Sequence, residues 1–200
     1  MEKFDTVWFN ARVLEVTQNN DLVIHDNMFL AVKNKKIKKI DKMKNFAKIS
    51  ASKSYDVQNK LITTSLIDCH THLIYGGNRT HEFEQRLNGK SYSQIAKDGG
   101  GINSSIKNTR EESFDEIYKS SAKRLESLIK EGVTTIEIKT GYGLDIESEI
   151  KMLKIAEKLE ENYPIHIEKT FLGAHAVPPE FKNESQSYIN YICDTMLHEV

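Results

Sequence analysis

Two histidines with one residue between them, His70 and His72, are the side chains best suited to chemistry in this sequence. They lie in an apolar run over residues 66–74, and side chains two apart in an extended strand leave the backbone on one face. Asp68 shares that face. Two neutral imidazoles side by side are typical ligands of zinc or ferrous iron. The spacing therefore predicts a metal site, with packing or surface histidines as the alternative.

Polar side chains also follow the points where successive strands are predicted to end. Asn78 and Arg79 come after one strand, Tyr142 after the next and His175 after the third. In parallel α/β proteins, ligands bind beyond the carboxyl ends of the strands. Each segment taken singly is better explained as an ordinary glycine-containing turn or helix start. Taken together, they predict one binding rim next to the two histidines.

Residues 1–60 are predicted to form short β-strands. Residues 7–16 are one candidate, and residues 29–32 and 37–40 flank the lysine-rich turn at residues 34–36, which is the pattern of a hairpin. We interpret these lysines as a solvated turn and a protected sheet edge rather than a binding patch.

From residue 61 onward, strands alternate with helices. Strands are predicted over residues 61–73, 133–139 and 165–172. A capping box at Thr109 and Glu112 predicts the start of a helix that ends at Gly132. Its apolar stripe is Phe114, Ile117, Leu125, Leu128 and Ile129.

Two further helices are predicted. Asp145 is expected to cap the first of them, and the second covers residues 188–197. The inner face expected for the first is Ile146, Ile150, Leu153 and Leu159.

Three βα units in succession predict an α/β fold with a parallel sheet, because parallel strands need long crossovers. A closed (β/α)8 barrel takes about 250 residues, and only about 140 follow the β-rich start. Both a small open sheet and the front of a larger barrel fit this count, and the second is favoured. The predicted organisation is a small β-rich, sandwich-type segment (1–60) followed by the first three βα units of an incomplete TIM-like barrel (61–200).

Composition narrows the class of protein. Lys and Arg number 28 and Asp and Glu 29, so the net charge of −1 favours neither nucleic acid nor an anionic membrane as a partner. The two cysteines supply no disulfide framework. The charged start and the lack of an 18-residue apolar stretch argue against a secretory signal or a membrane span. We expect a cytoplasmic protein.

Other candidate residues are assigned structural roles. Cys69 faces away from His70 and is expected to pack in the core. His25 and His198 are expected at the surface, His166 is expected to be structural, and His81 matches no ligand spacing. Glu137 and Lys139 lie at alternate positions of the strand predicted over residues 133–139. Two interpretations stay open: the two side chains pair with each other, or Glu137 assists the site.

With these residues in view, the chain resembles the metal-dependent amidohydrolases and, within them, the imidazolonepropionase family of histidine degradation. The resemblance covers about residues 61–181. It is carried by Leu66-Ile67-Asp68-Cys69-His70-Thr71-His72, Gly76-Gly77-Asn78-Arg79, Glu82-Phe83-Glu84-Gln85-Arg86-Leu87, Gly99-Gly100-Gly101-Ile102, Gly132-Val133-Thr134-Thr135, Lys139-Thr140-Gly141-Tyr142-Gly143-Leu144 and Thr170-Phe171-Leu172-Gly173-Ala174-His175.

This resemblance implies one zinc or iron ion with His70 and His72 among its ligands. It also implies an imidazolone propionate substrate bound by Arg79, Tyr142 and His175, with Tyr92 as a further contact. The implied reaction is hydrolytic opening of 4-imidazolone-5-propanoate to N-formimidoyl-L-glutamate, in which His175 would hydrogen-bond the ring carbonyl oxygen as it gains charge. A homodimer of the full-length protein is left open.

The sequence departs from the family in two respects. Thr64-Ser65 stands where the family usually has Pro-Gly. A family member also supplies another metal His, an acidic general base and a metal Asp from later strands, and these have no counterpart here. We therefore expect this polypeptide to be part of a longer protein. In isolation, the 200-residue chain is expected to bind metal weakly and to aggregate.

Two other functions stay open at this stage. One is a different amidohydrolase, such as a deaminase, that acts on cyclic amides or amidines. The other is a non-catalytic βα binding module without a metal.

Overall fold

A computed structural model describes residues 1–200, apart from the side chain of Ala96. The chain forms two compact units, Met1–Thr64 and Ser65–Val200. Each is described separately below.

The first unit is a β-sheet. Its strands are β1 (Glu2–Val16), β2 (Leu22–Lys33), β3 (Lys36–Lys42), β4 (Ile49–Asp56) and β5 (Leu61–Ile62), with a 3-10 turn at Met43–Lys48. The order is β3-β2-β1-β4, and β5 also pairs with β1. The predicted hairpin is confirmed, because β2 and β3 pair antiparallel across the lysine-rich turn. One cluster of its buried apolar side chains consists of Phe4, Val7, Phe29, Ala31 and Ile49.

The second unit has a three-stranded parallel sheet in the order β6-β7-β8, formed by β6 (Leu66–Thr71), β7 (Val133–Lys139) and β8 (His166–Thr170). The predicted parallel sheet is confirmed, and the bounds of β7 match the prediction. A closed barrel is not visible in the part of the chain that the structure describes. The prediction of one strand over residues 61–73 is wrong: the chain leaves β5 in the first unit and resumes at Leu66 in the second.

The connection from β6 to β7 contains four helices, α1 (Thr80–Leu87), α2 (Tyr92–Lys97), α3 (Ile102–Glu111) and α4 (Phe114–Lys130). The predicted capping box at Thr109 is wrong. Thr109 is buried inside α3, where its hydroxyl accepts a hydrogen bond from the Gly76 N–H. The box that starts α4 is Ser113 with Glu116, four residues further on.

Helix α5 (Ile146–Asn162) connects β7 to β8 and begins at the predicted cap, since Asp145 accepts a hydrogen bond from the Ser148 N–H. Its buried face differs from the predicted one, because Glu149 is buried. Of the four residues expected inside, only Leu159 is fully buried. The buried residues are Ser148, Glu149, Met152, Ile155, Ala156 and Leu159.

The chain continues after β8 through short 3-10 turns at Gly173–His175 and Pro179–Phe181. It then forms α6 (Ser185–Tyr191), a π-helical turn (Ile192–Met196) and α7 (Leu197–Glu199). The helix predicted over residues 188–197 therefore starts three residues earlier and changes its hydrogen-bond pattern at Ile192. None of the helices among the described residues combines the length and hydropathy needed to cross a membrane.

Candidate active site

The two histidines of the predicted metal site lie together at the carboxyl end of β6. The pairing of β6 with β7 is irregular between Asp68 and Thr71, so the strand is distorted where it carries His70. The ring centroids of His70 and His72 are 5.6 Å apart. His70 is exposed and His72 is half-buried. The structure therefore brings the two rings together rather than splaying them apart.

His72 has the properties of a metal ligand. Its Nδ1 atom is buried and has no hydrogen-bond partner among the described residues. Burial lowers the pKa of His72, and the nearby His175 and His70 rings lower it further. The ring is therefore neutral, which is the form that coordinates metal.

Two residues from other loops surround His72. The ring of His175, from the turn after β8, stacks on it with centroids 4.5 Å apart and planes 10° apart. The ring of Tyr142, from the loop after β7, is 5.2 Å from His72 and 5.4 Å from His175. Because the carboxyl ends of parallel strands meet at one edge of the sheet, residues about 70 and 100 positions apart along the chain form one aromatic cluster.

A backbone contact fixes the ring of His175. Its Nδ1 atom lies 3.1 Å from the carbonyl oxygen of Gly141. A carbonyl oxygen only accepts hydrogen bonds, so Nδ1 is the donor and carries a proton. In the neutral ring, Nε2 is then an acceptor. Donation from Nε2 to a substrate oxygen, as the sequence hypothesis requires, needs the doubly protonated ring.

Arg79 lines an open cavity of about 250 Å³ together with Tyr75, Ser105 and Tyr142. Its Nε atom donates to the hydroxyl of Ser105 at 3.0 Å, and Ser105 is only 4% exposed. This bond uses one side of the guanidinium and leaves the two terminal nitrogens for a ligand. A guanidinium held in this way suits a carboxylate, which it can bind through two parallel hydrogen bonds.

Two residues of this cavity were missed in the sequence. Tyr75 packs edge-on against Tyr142, with ring centroids 6.2 Å apart. The guanidinium of Arg124 lies 3.6 Å from the centre of the Tyr75 ring. Ser105 belongs to a polar helix that the sequence pattern did not reveal. Tyr75 directly precedes Gly76-Gly77, and this position next to the glycine loop is the sequence feature that indicates a place at the site.

Three other residues named in the sequence analysis are exposed. Tyr92 is on α2, is 61% exposed and is not among the residues that line the Arg79 cavity. Asn78 is exposed, and its side chain accepts a hydrogen bond from the Thr80 N–H. Cys69 is exposed, so its predicted core position is wrong.

Glu137 and Lys139 pair with each other, which is one of the two alternatives left open by the sequence. The Lys139 ammonium donates to the Glu137 carboxylate, and the Thr170 hydroxyl donates to the same oxygen at 2.6 Å. The hydrogen bond from Lys139, followed by that from Thr170, lowers the pKa of Glu137. His166 lies at the amino end of β8, the end opposite to the cluster, and its ring nitrogens are 2.8 Å from carboxylate oxygens of Glu160 and Glu168.

The donor set fits part of a metal site. His70 and His72 converge, and the unpartnered Nδ1 of His72 is the kind of atom that a metal ion would satisfy. However, the described residues include no group of three or more His, Cys, Asp or Glu side chains arranged to hold an ion. Zinc sites ordinarily have at least three protein ligands, so the two histidines alone do not make a closed site.

The fold and the cluster define a class: a parallel α/β protein whose site is built from histidine, tyrosine and arginine beyond the carboxyl ends of its strands. No protein-family model matches the chain. Over nearly its whole length, however, the chain is similar to proteins named imidazolonepropionase. It is 46% identical to the one from Brucella anthropi over 198 residues (98% of this chain and 49% of the relative). It is 45% identical to the Hahella chejuensis protein over 95% of this chain and 48% of the relative.

A third such relative, from Psychromonas ingrahamii, is 44% identical over 94% of this chain and 47% of its own length. The resemblance noted in the sequence is therefore confirmed, and it extends from the site motifs through the β-rich first unit. The chain spans about half the length of the relatives it matches.

Among solved structures, an adenosine deaminase from Xanthomonas campestris with bound zinc matches with a TM-score of 0.54 at 11% identity. The match covers 85% of this chain and 43% of that one. At this level of identity, the likeness concerns the fold alone.

Proposed function

We propose that this chain is the part of an imidazolonepropionase that supplies two metal ligands and the carboxylate-binding side of the substrate site. The observation that carries the proposal is the position of Tyr142. Its ring lies 5.2 Å from the ring of His72 and 5.4 Å from that of His175, and the same residue lines the Arg79 cavity. A metal pair and a carboxylate-binding arginine therefore meet around one side chain.

In this proposal, His70 and His72 hold one zinc or iron ion. When bound, the ion supplies Lewis acidity and lowers the pKa of water, which is the chemistry needed to hydrolyse a cyclic amide. The remaining ligands and the general base come from outside these residues. Residues 65–200 then correspond to the first three βα units of a barrel, and residues 1–64 to the β-rich segment that precedes it.

Arg79 binds the propionate group of the substrate. Its Nε atom is occupied by Ser105, so its terminal nitrogens face a carboxylate in a fixed orientation. The Tyr142 hydroxyl and the His175 ring contact the imidazolone, and Tyr92 would need to move from its exposed position to do so. The substrate class is therefore a five-membered cyclic amide that carries a short acidic chain.

Binding of imidazole-4-propionate, a stable analogue of the substrate, tests the acid-binding part of this proposal. In nuclear magnetic resonance titrations of the 200-residue chain, the resonances of Tyr142 and His175 should shift, and Arg79→Ala should abolish the shifts. Arg86→Ala is the matched control, because Arg86 is an exposed arginine on α1. Equal binding of the analogue by the Arg79→Ala and wild-type chains would overturn the proposal.

The same titration separates the alternatives. A deaminase of purine or pyrimidine bases would bind adenine or cytosine at these residues with no dependence on Arg79, since the bases lack a carboxylate. A non-catalytic module would bind neither the analogue nor zinc at the His70–His72 pair. Turnover of 4-imidazolone-5-propanoate, measured on a protein of the relatives' full length that contains these residues, then tests the reaction itself.

A further inference from the structure

A buried carboxylate on α5 holds the loop that carries Tyr142. Glu149 is 0% exposed. Its Oε1 atom accepts hydrogen bonds from the N–H groups of Gly143 at 2.9 Å and Leu144 at 2.8 Å, and both its oxygens lie 3.1 Å from the nitrogen of Gly141. A buried carboxylate is tolerated only where several donors satisfy it. Here the donors are the backbone on both sides of Tyr142.

The backbone of this loop is in a conformation that needs such support. Gly141 has φ of 108°, and Leu144 has φ of 59°, in the left-handed region that costs a leucine about 1 kcal/mol or more. A Cβ atom at position 141 would lie 2.7 Å from the Cβ atom of His175. The glycine thus allows the loop to approach His175, and Glu149 keeps the loop there.

The same loop orients His175. Gly141 gives its N–H to Glu149 and accepts the hydrogen bond from His175 Nδ1 through its carbonyl. The Tyr188 hydroxyl also lies 3.2 Å from the carbonyl oxygen of Leu144 and 2.6 Å from that of Gly173. The Tyr142 loop and the His175 turn are therefore joined to each other and, through Glu149, to α5.

We propose that Glu149 is a positioning residue for this site. By binding the loop backbone, it fixes the ring of Tyr142 and holds the Gly141 carbonyl oxygen that accepts the hydrogen bond from His175 Nδ1. The purpose of this arrangement rests on the proposed function, in which Tyr142 and His175 contact the substrate. The effect of Glu149 on the loop backbone and on the His175 proton, however, can be measured on the chain without substrate or metal.

The test is Glu149→Gln in the 15N-labelled chain, with Glu147→Gln as the matched control. Glu147 lies in the same turn of α5 and is exposed, so the control makes the same change of charge without touching the loop. In the wild-type chain, the 15N shifts of His175 should show that Nδ1 carries the proton of the hydrogen bond to Gly141. In Glu149→Gln, they should move toward a mixture of tautomers, and amide exchange at Gly143 and Leu144 should rise about tenfold or more.

The proposal is overturned if Glu149→Gln leaves both the His175 tautomer and the exchange of the loop amides as in the wild type. It is also overturned if Glu147→Gln has the same effect as Glu149→Gln.

If Glu149→Gln does not fold, amide exchange in the wild-type chain decides. Protection of the Gly143 and Leu144 amides equal to that of β7 supports the proposal, and exchange as fast as in an open loop refutes it. A wild-type chain with this tautomer and these protected amides but no binding of imidazole-4-propionate would refute the proposed function and not the positioning role.

Discussion

The ring of His175 lies parallel to the ring of His72, with a centroid distance of 4.5 Å. His72 directly follows the first strand of the parallel sheet and His175 lies in the turn after the third, so this contact joins the proposed metal-binding and substrate-binding parts of the site. Stacking of the two rings, together with the hydrogen bond from His175 Nδ1 to Gly141, fixes both imidazoles before any ligand binds.

Removal of one histidine should weaken zinc binding by the chain. With only two ligands available, the wild-type chain should bind zinc weakly, and His72→Ala should reduce the affinity at least about tenfold, or about 1.4 kcal/mol. Isothermal titration with zinc chloride measures this. His25→Ala is the control, because His25 contacts Glu15 in the first unit. Zinc binding by His72→Ala equal to that of the wild type would place the metal elsewhere.

Loss of the Ser105 hydroxyl should weaken acid binding without removing Arg79. The hydrogen bond from Arg79 Nε is worth about 1 kcal/mol net, so Ser105→Ala should raise the Kd for imidazole-4-propionate about fivefold. Ser127→Ala, at an exposed position on α4, should leave it unchanged. An unchanged Kd in Ser105→Ala would show that Arg79 needs no such support.

The start of α4 predicts a stability effect at Ser113. Its hydroxyl accepts the Glu116 N–H while the Glu116 carboxylate accepts the Ser113 N–H. Ser113→Ala should lower the free energy of unfolding by about 1 kcal/mol, and Ser113→Thr should restore most of it. Urea unfolding followed by circular dichroism measures both. Equal stability of all three proteins would contradict the observed cap.

The ion pair between Arg110 and Glu180 predicts a dependence of stability on pH. Hydrogen bonding from Arg110, at 2.7 Å, is the largest cause that lowers the pKa of Glu180. A carboxyl group with a lowered folded-state pKa stabilises the protein above its unfolded-state pKa of about 4.3, and this stabilisation is lost as the pH falls through the folded-state value. Because the pair is partly exposed, its contribution at neutral pH should be at most about 1 kcal/mol.

Glu180→Gln should therefore destabilise the chain at pH about 7, and the difference from the wild type should shrink in acid below pH about 4. Urea unfolding at several pH values measures this difference. Glu184→Gln, at an exposed position in the same segment, should show no such trend. A difference for Glu180→Gln that stays constant with pH would exclude the ion pair as its cause.

Exposed apolar residues on β6 predict self-association. Ile67 is 69% exposed, and β6 pairs with β7 on one edge only within the part of the chain that the structure describes. Ile67→Lys should reduce the fraction of aggregate measured by light scattering. Leu22→Lys changes an equally exposed leucine in the first unit, so an equal reduction there would point away from β6.

Much of the second unit follows from periodicity. The β-branched run of β7 and the cap at Asp145 are local signals, and the structure has both as predicted. The histidine pair and the loop residues Tyr142 and His175 could be placed at one edge because parallel strands share their carboxyl ends. That rule needs only the order of the elements along the chain.

The errors have physical causes as well. Thr109 with Glu112 and Ser113 with Glu116 match the same capping pattern, and only the tertiary contact of Thr109 with Gly76 distinguishes them. The face of α5 was misassigned because a glutamate in an amphipathic pattern is normally exposed. Its burial depends on backbone donors in a loop, which side-chain periodicity does not report.

The hydroxyl of Tyr188 has a consequence for the order in which the site is assembled. It bonds to the carbonyl oxygens of Leu144 and Gly173, which belong to two segments synthesised well before it. On the ribosome, where the chain emerges from its amino end, these two hydrogen bonds can form only after α6 has been synthesised and has packed against both segments. A nascent chain that stops short of Tyr188 would contain every histidine, tyrosine and arginine of the cluster and still lack the last bond that holds the two loops together.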